Sequence, residues 1–438
     1  MNDPNPNPLD PRPVRDDPEE LCESPAASRR EFFDRSKQAL AALALSSPMW
    51  LPKRSQAVTA GGNGDIMVYI FLRGGMDGMS LVVPYGDPDY YNLRPTLSLP
   101  PPGSGTSGDA IDLDGYFGLS PIAAKLLTPY NDGALAFIPA AGSTNDTRSH
   151  FDAMKYMEFG NPDQNTLSDR SGYLGRYMAA KGGAANLRGM SVEYTLPYAL
   201  YESPGTIPVP DPANFPFPGN ANTLDLRRSK IENMYGATSD PLKTAGESGL
   251  ATIDLLDTID FENYQTSNGA EYGESFIGQR LRKVAAMVKA SVGVETYSLD
   301  VNGWDTHDTQ GNLSGTYADL MGGLSEALEA FYLDMQSYLD GITLCVITEF
   351  GRTASENGSS GTDHGRASTT MVMGGNVQGG QIHGTWPTLA PPQLDLGDLA
   401  VTTDYRDVMW EILSKRMGAT DLASVFPNHT FMDPHIIS

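Results

Sequence analysis

The sequence predicts an α/β protein built around a mostly parallel central sheet, and three observations carry that prediction. Continuous apolar runs over 66–72, 134–141 and 342–348 have the pattern of strands buried on both faces. Segments of helical spacing lie between such runs, as they do when strands are joined by crossover helices. Acids, histidines or small hydroxyl residues follow the runs directly, which is where open α/β sheets assemble their sites.

Taken in order, Ile66 to Leu72 is a buried strand closed by Arg73-Gly74-Gly75, with Asp77 immediately beyond. Residues 84–118, rich in Pro, Gly, Asp and Tyr, read as a long loop, and 122–130 as a helix. Ala134 to Ala141 is a second buried strand. After a polar turn, Phe151, Met154 and Met157 give 151–159 the spacing of a short amphipathic helix. Clustered Pro, Asn and Gly make 193–272 irregular, the segment expected to be an insertion or lid. A helix over 276–290 and a strand over 293–299 precede a long helix over 317–339, with Leu320, Leu324, Leu328, Phe331 and Met335 on one side. Strands over 342–348 and 369–373 and a helix over 405–417 complete the chain; no internal repeat is present.

Composition narrows the function. The 438 residues include 54 acids and 30 bases, a formal charge of -24. Nucleic acid is not an expected partner, because phosphate binding needs a basic face. An anion site on this chain needs local positive charge, from a metal or an arginine. Cys22 and Cys345 are the two cysteines, so neither a structural disulfide nor a thiolate metal site is expected.

The N-terminus reads as an export segment. Ser28-Arg29-Arg30-Glu31-Phe32-Phe33 has the form of a twin-arginine signal, followed by an apolar stretch from Ala39 to Leu51 and small residues at Ser55-Gln56-Ala57 and Val58-Thr59-Ala60. The stretch is too short and interrupted for a permanent membrane span. Residues 1–60 are then a tail and signal peptide and 61–438 the mature domain. The expected location is the periplasm or exterior of a bacterium, with the twin-arginine translocase as a transient partner.

The residues that carry chemistry follow the strands. Asp77 alone reads as a turn aspartate; among several strand-end acids it becomes a candidate metal ligand. Ser149 reads as the N-cap of the helix that follows, with Asp152 in an acidic variant of the capping box. The helix N-terminus also stabilises an alkoxide or a bound oxyanion there, and Thr147 is a competing hydroxyl. Asp305 and His307, two apart, share one face of an extended segment and can grip a single ion. Glu349 ends a buried run, so its charge needs a partner, either Arg352 or a metal. Asp363-His364 adds an imidazole, with Asp363 as a ligand or as its orienter, and His383 is a reserve ligand.

These segments resemble an uncharacterised, usually twin-arginine-exported bacterial family, the domain of unknown function numbered 1501. The resemblance rests on Phe71-Leu72-Arg73-Gly74-Gly75-Met76-Asp77-Gly78, Arg148-Ser149-His150-Phe151-Asp152-Ala153, Gly172-Tyr173-Leu174-Gly175-Arg176, Gly303-Trp304-Asp305-Thr306-His307, Glu349-Phe350-Gly351-Arg352-Thr353 and Thr362-Asp363-His364-Gly365. That family resembles a branch of the alkaline phosphatase and sulfatase superfamily. The resemblance implies an alkaline-phosphatase-like α/β/α sandwich, one or two divalent ions (Zn, Ca, Mn or Mg) and a Ser or Thr nucleophile. It casts Asp77 as the first-strand metal aspartate, Ser149 or Thr147 as the nucleophile, and Asp305 and His307 as ligands of one ion. Two registers remain for the rest. In the preferred one Glu349 replaces a strand-end aspartate and His364 is the later histidine. In the other Asp363 and His364 form the pair and His383 follows. The preferred register puts Phe350 where phosphatases carry a metal-binding histidine, so a second ion site is poorer. Neither cysteine lies in the turn before Phe151, and that turn lacks the arginine of a formylglycine motif, so formylglycine chemistry is not expected. The implied activity is hydrolysis of small or polymeric phosphate or sulfate esters, with Arg148, Arg352 or Arg366 on the anionic oxygens. The alternative is a non-catalytic cell-envelope protein retaining the fold and one structural metal.

Overall fold

The computed structural model describes residues 65–162, 170–183, 187–239 and 242–438. The export segment with Arg29 and Arg30, and Cys22, lie outside them. Among the described residues no helix is long and apolar enough to cross a membrane.

Among the described residues the central sheet has eight strands. In chain order they are β1 (Ile66–Arg73), β2 (Leu135–Gly142), β3 (Gly189–Ser191), β4 (Thr206–Pro208), β5 (Thr296–Asn302), β6 (Ile342–Thr348), β7 (Ser368–Gly374) and β8 (Thr403–Asp404). They lie side by side as β8-β2-β7-β6-β1-β5-β3-β4, and every pairing is parallel except those of β7 with β2 and β6.

Alternation along β1 shows why the sheet is covered on both sides. Val68, Ile70 and Leu72 point into one core, while Met67, Tyr69 and Phe71 point into the other. Helices Phe276–Lys289 and Thr316–Met335 close the first core through Leu281, Val284, Leu324, Leu328 and Phe331. Helices α1 (His150–Glu158), Tyr173–Lys181 and Tyr405–Lys415 close the second through Met157, Leu174, Tyr177, Val408 and Ile412. The result is the expected α/β/α sandwich.

Two readings of the sequence are corrected here. The stretch 84–118 is not purely loop: Ile111–Asp112 and Gly118–Leu119 join Val82–Val83 in a small antiparallel sheet. The irregular 193–272 segment holds two substantial helices, Leu224–Gly236 and Leu242–Asp257. Gly246, inside Leu242–Asp257, has the sequence character of a helix breaker. A Cβ there would lie 2.2 Å from the Tyr235 ring, so the glycine lets the two helices approach closely.

Strand direction positions the site. The carboxyl ends of β1, β2, β5 and β6 share one edge of the sheet. Because β7 runs the opposite way, its entrance lies at that same edge, and the Asp363-His364 segment leads into it.

Candidate metal centre

Four segments converge at this edge: His150 at the head of α1 after β2, Asp305 and His307 after β5, Glu349 after β6, and Asp363 and His364 before β7. Gly74, just past β1, adopts φ +122°, and a Cβ there would lie 2.6 Å from the Asp305 backbone nitrogen. The glycine thus lets the β1 end and the Asp305 segment pass in contact. Arg73 ties α1 to the sheet, reaching Glu158 at 3.2 Å and Asp300 at 2.6 Å.

His364 Nε2 lies 2.9 Å from His150 Nε2, 3.0 Å from His307 Nε2 and 3.1 Å from Asp305 Oδ1. Asp305 Oδ1 is also 3.0 Å from His307 Nε2 and 3.4 Å from His150 Nε2. The opposite ring nitrogens fix the proton positions. His150 Nδ1 faces Glu349 Oε1 at 2.7 Å, His307 Nδ1 faces Asp363 Oδ1 at 2.8 Å, and His364 Nδ1 faces the Arg148 carbonyl at 2.7 Å. Carboxylate and carbonyl oxygens only accept, so each Nδ1 donates. In the neutral form each imidazole is therefore locked with its Nε2 lone pair turned toward one carboxylate oxygen. Four acceptors this close repel unless a proton or a cation lies among them.

The electrostatics fit this description. Burial pulls the His150 imidazole down, but hydrogen bonding to Glu349 and the charges of Glu349 and Asp305 outweigh it and hold it above its ordinary value. Burial pushes His364 down, and the neighbouring His150 charge adds to that. Burial works to raise Asp305, yet the Arg352 guanidinium, 2.9 Å from Oδ1, holds the carboxyl below its usual range. The hydrogen bonds from His307 and then Asn357 hold Asp363 low as well. The Phe350 ring packs 4.7 Å from His150 and 5.1 Å from His364, bracing the imidazoles as an apolar wall.

The remaining expected site residues fall around this centre. Glu349, fully buried, accepts from His150 and from the Gly74 backbone N–H at 2.8 Å. It orients His150, and the partner offered for it in the sequence, Arg352, serves Asp305 instead. Asp363 orients His307. Asp77 is buried in a two-pronged pair with Arg94 at 2.6 and 3.0 Å and accepts further from Ser80 and Gln310. Asp77 and Glu349 are thus each engaged by protein partners, Asp77 by Arg94 and Glu349 by His150 and Gly74. His383 donates to the Gln378 carbonyl, 2.7 Å away, outside the cluster. Ser149 is the N-cap of α1, its hydroxyl 3.4 Å from the Asp152 N–H. Thr147 lines a small cleft with Glu349, Phe350 and Arg366. Arg148 pairs with Asp398 and Arg366 with Asp395.

His150 is the candidate ligand that the reading of the sequence missed. A signal was present: a side chain able to carry positive charge is disfavoured at the positive end of a helix, so its placement there asks for another reason. Among the described residues, His150, Asp305 and His364 form the group of donors able to hold a metal ion; His307 approaches two of them.

Solved structures to which the chain is similar include a protein in the alkaline phosphatase superfamily from Vibrio parahaemolyticus, at 11% identity over 79% of this chain and 70% of that one, TM-score 0.30. They also include the lipoteichoic acid synthase LtaP from Listeria monocytogenes, at 7% identity over 83% of this chain and 80% of that one, TM-score 0.32. A third is Ps i-CgsB in complex with k-i-k-neocarrahexaose, at 9% identity over 85% of this chain and 76% of that one, TM-score 0.36. No curated protein matches in sequence. Over residues 220–415 the chain matches the family described as Protein of unknown function (DUF1501), the family its motifs resemble.

Proposed function

We propose that the chain is an exported hydrolase of phosphate or sulfate esters that works with one divalent ion held by His150, His364 and Asp305, with His307 completing the set. One observation carries the metal: three imidazoles, each fixed by an Nδ1 acceptor, turn Nε2 toward Asp305 Oδ1. Outer partners of this kind are the usual company of metal-binding histidines. A nitrogen-rich set favours Zn²⁺ or a neighbouring transition metal; Ca²⁺ and Mg²⁺ prefer all-oxygen sites. The Asp77–Arg94 pair argues for one ion rather than two.

When bound, such an ion supplies Lewis-acid polarisation of an ester oxygen. The chain does the rest. Ser149, beside His150 at the head of α1, is the assigned nucleophile, with Thr147 as the competing hydroxyl. Its Oγ gives up its proton to solvent and bonds to phosphorus or sulfur as the ester oxygen departs and takes up a proton; water then cleaves the seryl ester, restoring the hydroxyl and releasing the inorganic anion. The α1 N-terminus favours negative charge at that point. Arg148, half-exposed and paired with Asp398, stands at the rim, where an anionic ester can compete for it. The helices within 193–272 are the proposed source of substrate selection, and the twin-arginine translocase the proposed route of export.

A non-catalytic envelope protein with one structural ion is the second reading, favoured by the presence of four protein donors, the number a closed structural zinc site uses. The 45% exposure of the Asp305 side chain and 40% of His307 favours the hydrolase reading, since it leaves the site a side from which an ester can approach. Turnover of phosphomonoester, phosphodiester and sulfate ester panels by the Zn²⁺- or Mn²⁺-loaded chain decides between them. The hydrolase reading expects Ser149→Ala to keep the metal and lose turnover. Undiminished turnover moves the nucleophile to Thr147 if Thr147→Ala is inactive; no turnover by the parent on any panel leaves the structural reading.

A further inference from the structure

The two loops that bring the ligands together, 303–307 and 361–365, share one buried side chain. Gln310 has no solvent exposure, and every polar group of its amide is used. Oε1 accepts from the Thr306 hydroxyl at 2.9 Å and from the Thr362 hydroxyl at 2.7 Å. Nε2 donates to Asp77 Oδ2 at 2.7 Å and to Ser80 Oγ at 3.3 Å. Thr306 stands between Asp305 and His307, and Thr362 immediately precedes Asp363 and His364. The amide orientation is unambiguous: a carboxylate only accepts, so the NH₂ group faces Asp77, and the carbonyl oxygen is left for the two hydroxyls.

The direction of donation continues to the metal centre. The Thr362 hydroxyl gives its proton to Gln310, so its lone pairs are free to accept from Arg352 Nε at 3.3 Å. Arg352 then places NH1 2.9 Å from Asp305 Oδ1. At the other end, Asp77 is held by the buried Arg94. A backbone bond from the Thr362 N–H to the Thr306 carbonyl, 3.2 Å, runs beside the side-chain relay.

Resting on the metal reading above, we propose that Gln310 is a positioning residue. It staples the Asp305-His307 and Asp363-His364 loops to each other and to the Asp77–Arg94 pair, setting the separation of the Nε2 and Oδ1 donors before any ion arrives. It does not touch the ion. Its effect is preorganisation, so its loss loosens the donor set more than the fold. Groups that hydrogen-bond a ligand directly change metal affinity by about 10–100-fold when replaced; Gln310 acts one step further out, so the lower end, about tenfold, is expected.

The test is Co²⁺ titration of the full chain, followed by the visible absorption of the bound ion, with Gln310→Met, Thr362→Val and Thr362→Ser. Thr362→Val keeps the volume and removes the hydroxyl; Thr362→Ser keeps the hydroxyl. Gln310→Met and Thr362→Val are expected to bind Co²⁺ about tenfold more weakly or worse, with a shifted absorption band, and Thr362→Ser to stay near the parent. The valine and serine pair decides the matter if Gln310→Met does not fold. Parent-like affinity and spectrum in Thr362→Val, or equal weakening in Thr362→Ser, overturns the staple while leaving the metal reading intact. No Co²⁺ binding by the parent overturns both.

Discussion

Replacing Glu349 by Gln tests the tautomer lock on His150 at its source. Glu349 is fully buried, and Oε1 accepts from His150 Nδ1 at 2.7 Å and the Gly74 N–H at 2.8 Å. Gln has the same shape and keeps a carbonyl oxygen for these N–H groups, so packing is preserved. The negative charge behind the imidazole is lost. A hydrogen bond to a charged group contributes about 1.5–3 kcal/mol, against about 1 kcal/mol for a neutral one. The difference, of order 0.5–2 kcal/mol, approaches the roughly 1.4–2.7 kcal/mol that a 10–100-fold change in metal affinity represents. Glu349→Gln is therefore expected to weaken Zn²⁺ binding by about tenfold, read by competition against a chromophoric chelator at neutral pH. Affinity within twofold of the parent, in a variant with an unchanged unfolding midpoint, would refute the lock.

Further expectations concern ligands, pH and stability. His150→Ala weakens Zn²⁺ binding by at least about 100-fold, as loss of a direct ligand exceeds the loss of an outer partner, whereas His383→Ala, at the Gln378 carbonyl, leaves titration curves unchanged. Zn²⁺ affinity falls as pH is lowered, because the ion needs unprotonated Nε2 atoms. His150 is held above its ordinary value, so the decline begins above about pH 6.5, the free imidazole value; a flat profile between about pH 8 and 6 contradicts this. Arg94→Met leaves Asp77 buried without its cation and costs about 3–5 kcal/mol in urea unfolding at neutral pH. Burial acts to raise the Asp77 carboxyl, but Arg94 and its hydrogen bonds hold it below the usual range. Its contribution is therefore complete above the unfolded-chain value near about pH 4 and is lost as pH falls through the lower folded value. The Arg94→Met penalty should shrink correspondingly in acid.

Much of the fold was legible because strands buried on both faces read as unbroken apolar runs, and β1, β2 and β6 lie within a residue or two of where their runs predict. The direction of β7 was not legible: no pattern within Ser368–Gly374 distinguishes an antiparallel from a parallel strand, since the path of the preceding loop decides it. Within 193–272, the helix Leu242–Asp257 was hidden by Gly246, whose role is close packing rather than chain breaking.

In the site, convergence was readable from strand ends, but the division of labour was not. Glu349 and Asp363 have ligand chemistry in sequence and orient imidazoles in space, because each meets an imidazole Nδ1 rather than an Nε2. Asp77 has the same chemistry, but Arg94, seventeen residues on, claims it. His150 went unassigned because the hydroxyl beside it explained the helix start by itself. Which nitrogen or oxygen faces inward depends on rotamers and on partners distant in sequence, and a linear pattern does not record these.

The proposed site holds one divalent ion on His150, His364 and Asp305, with His307. The most direct measurement is the metal content of the full chain, purified without chelator and dialysed, by inductively coupled plasma mass spectrometry alongside His150→Ala/His364→Ala. One transition-metal ion per parent chain, and none in the double variant, is the predicted result. A parent that retains no metal and takes up none from micromolar Zn²⁺, or a double variant that retains a full equivalent, would contradict it.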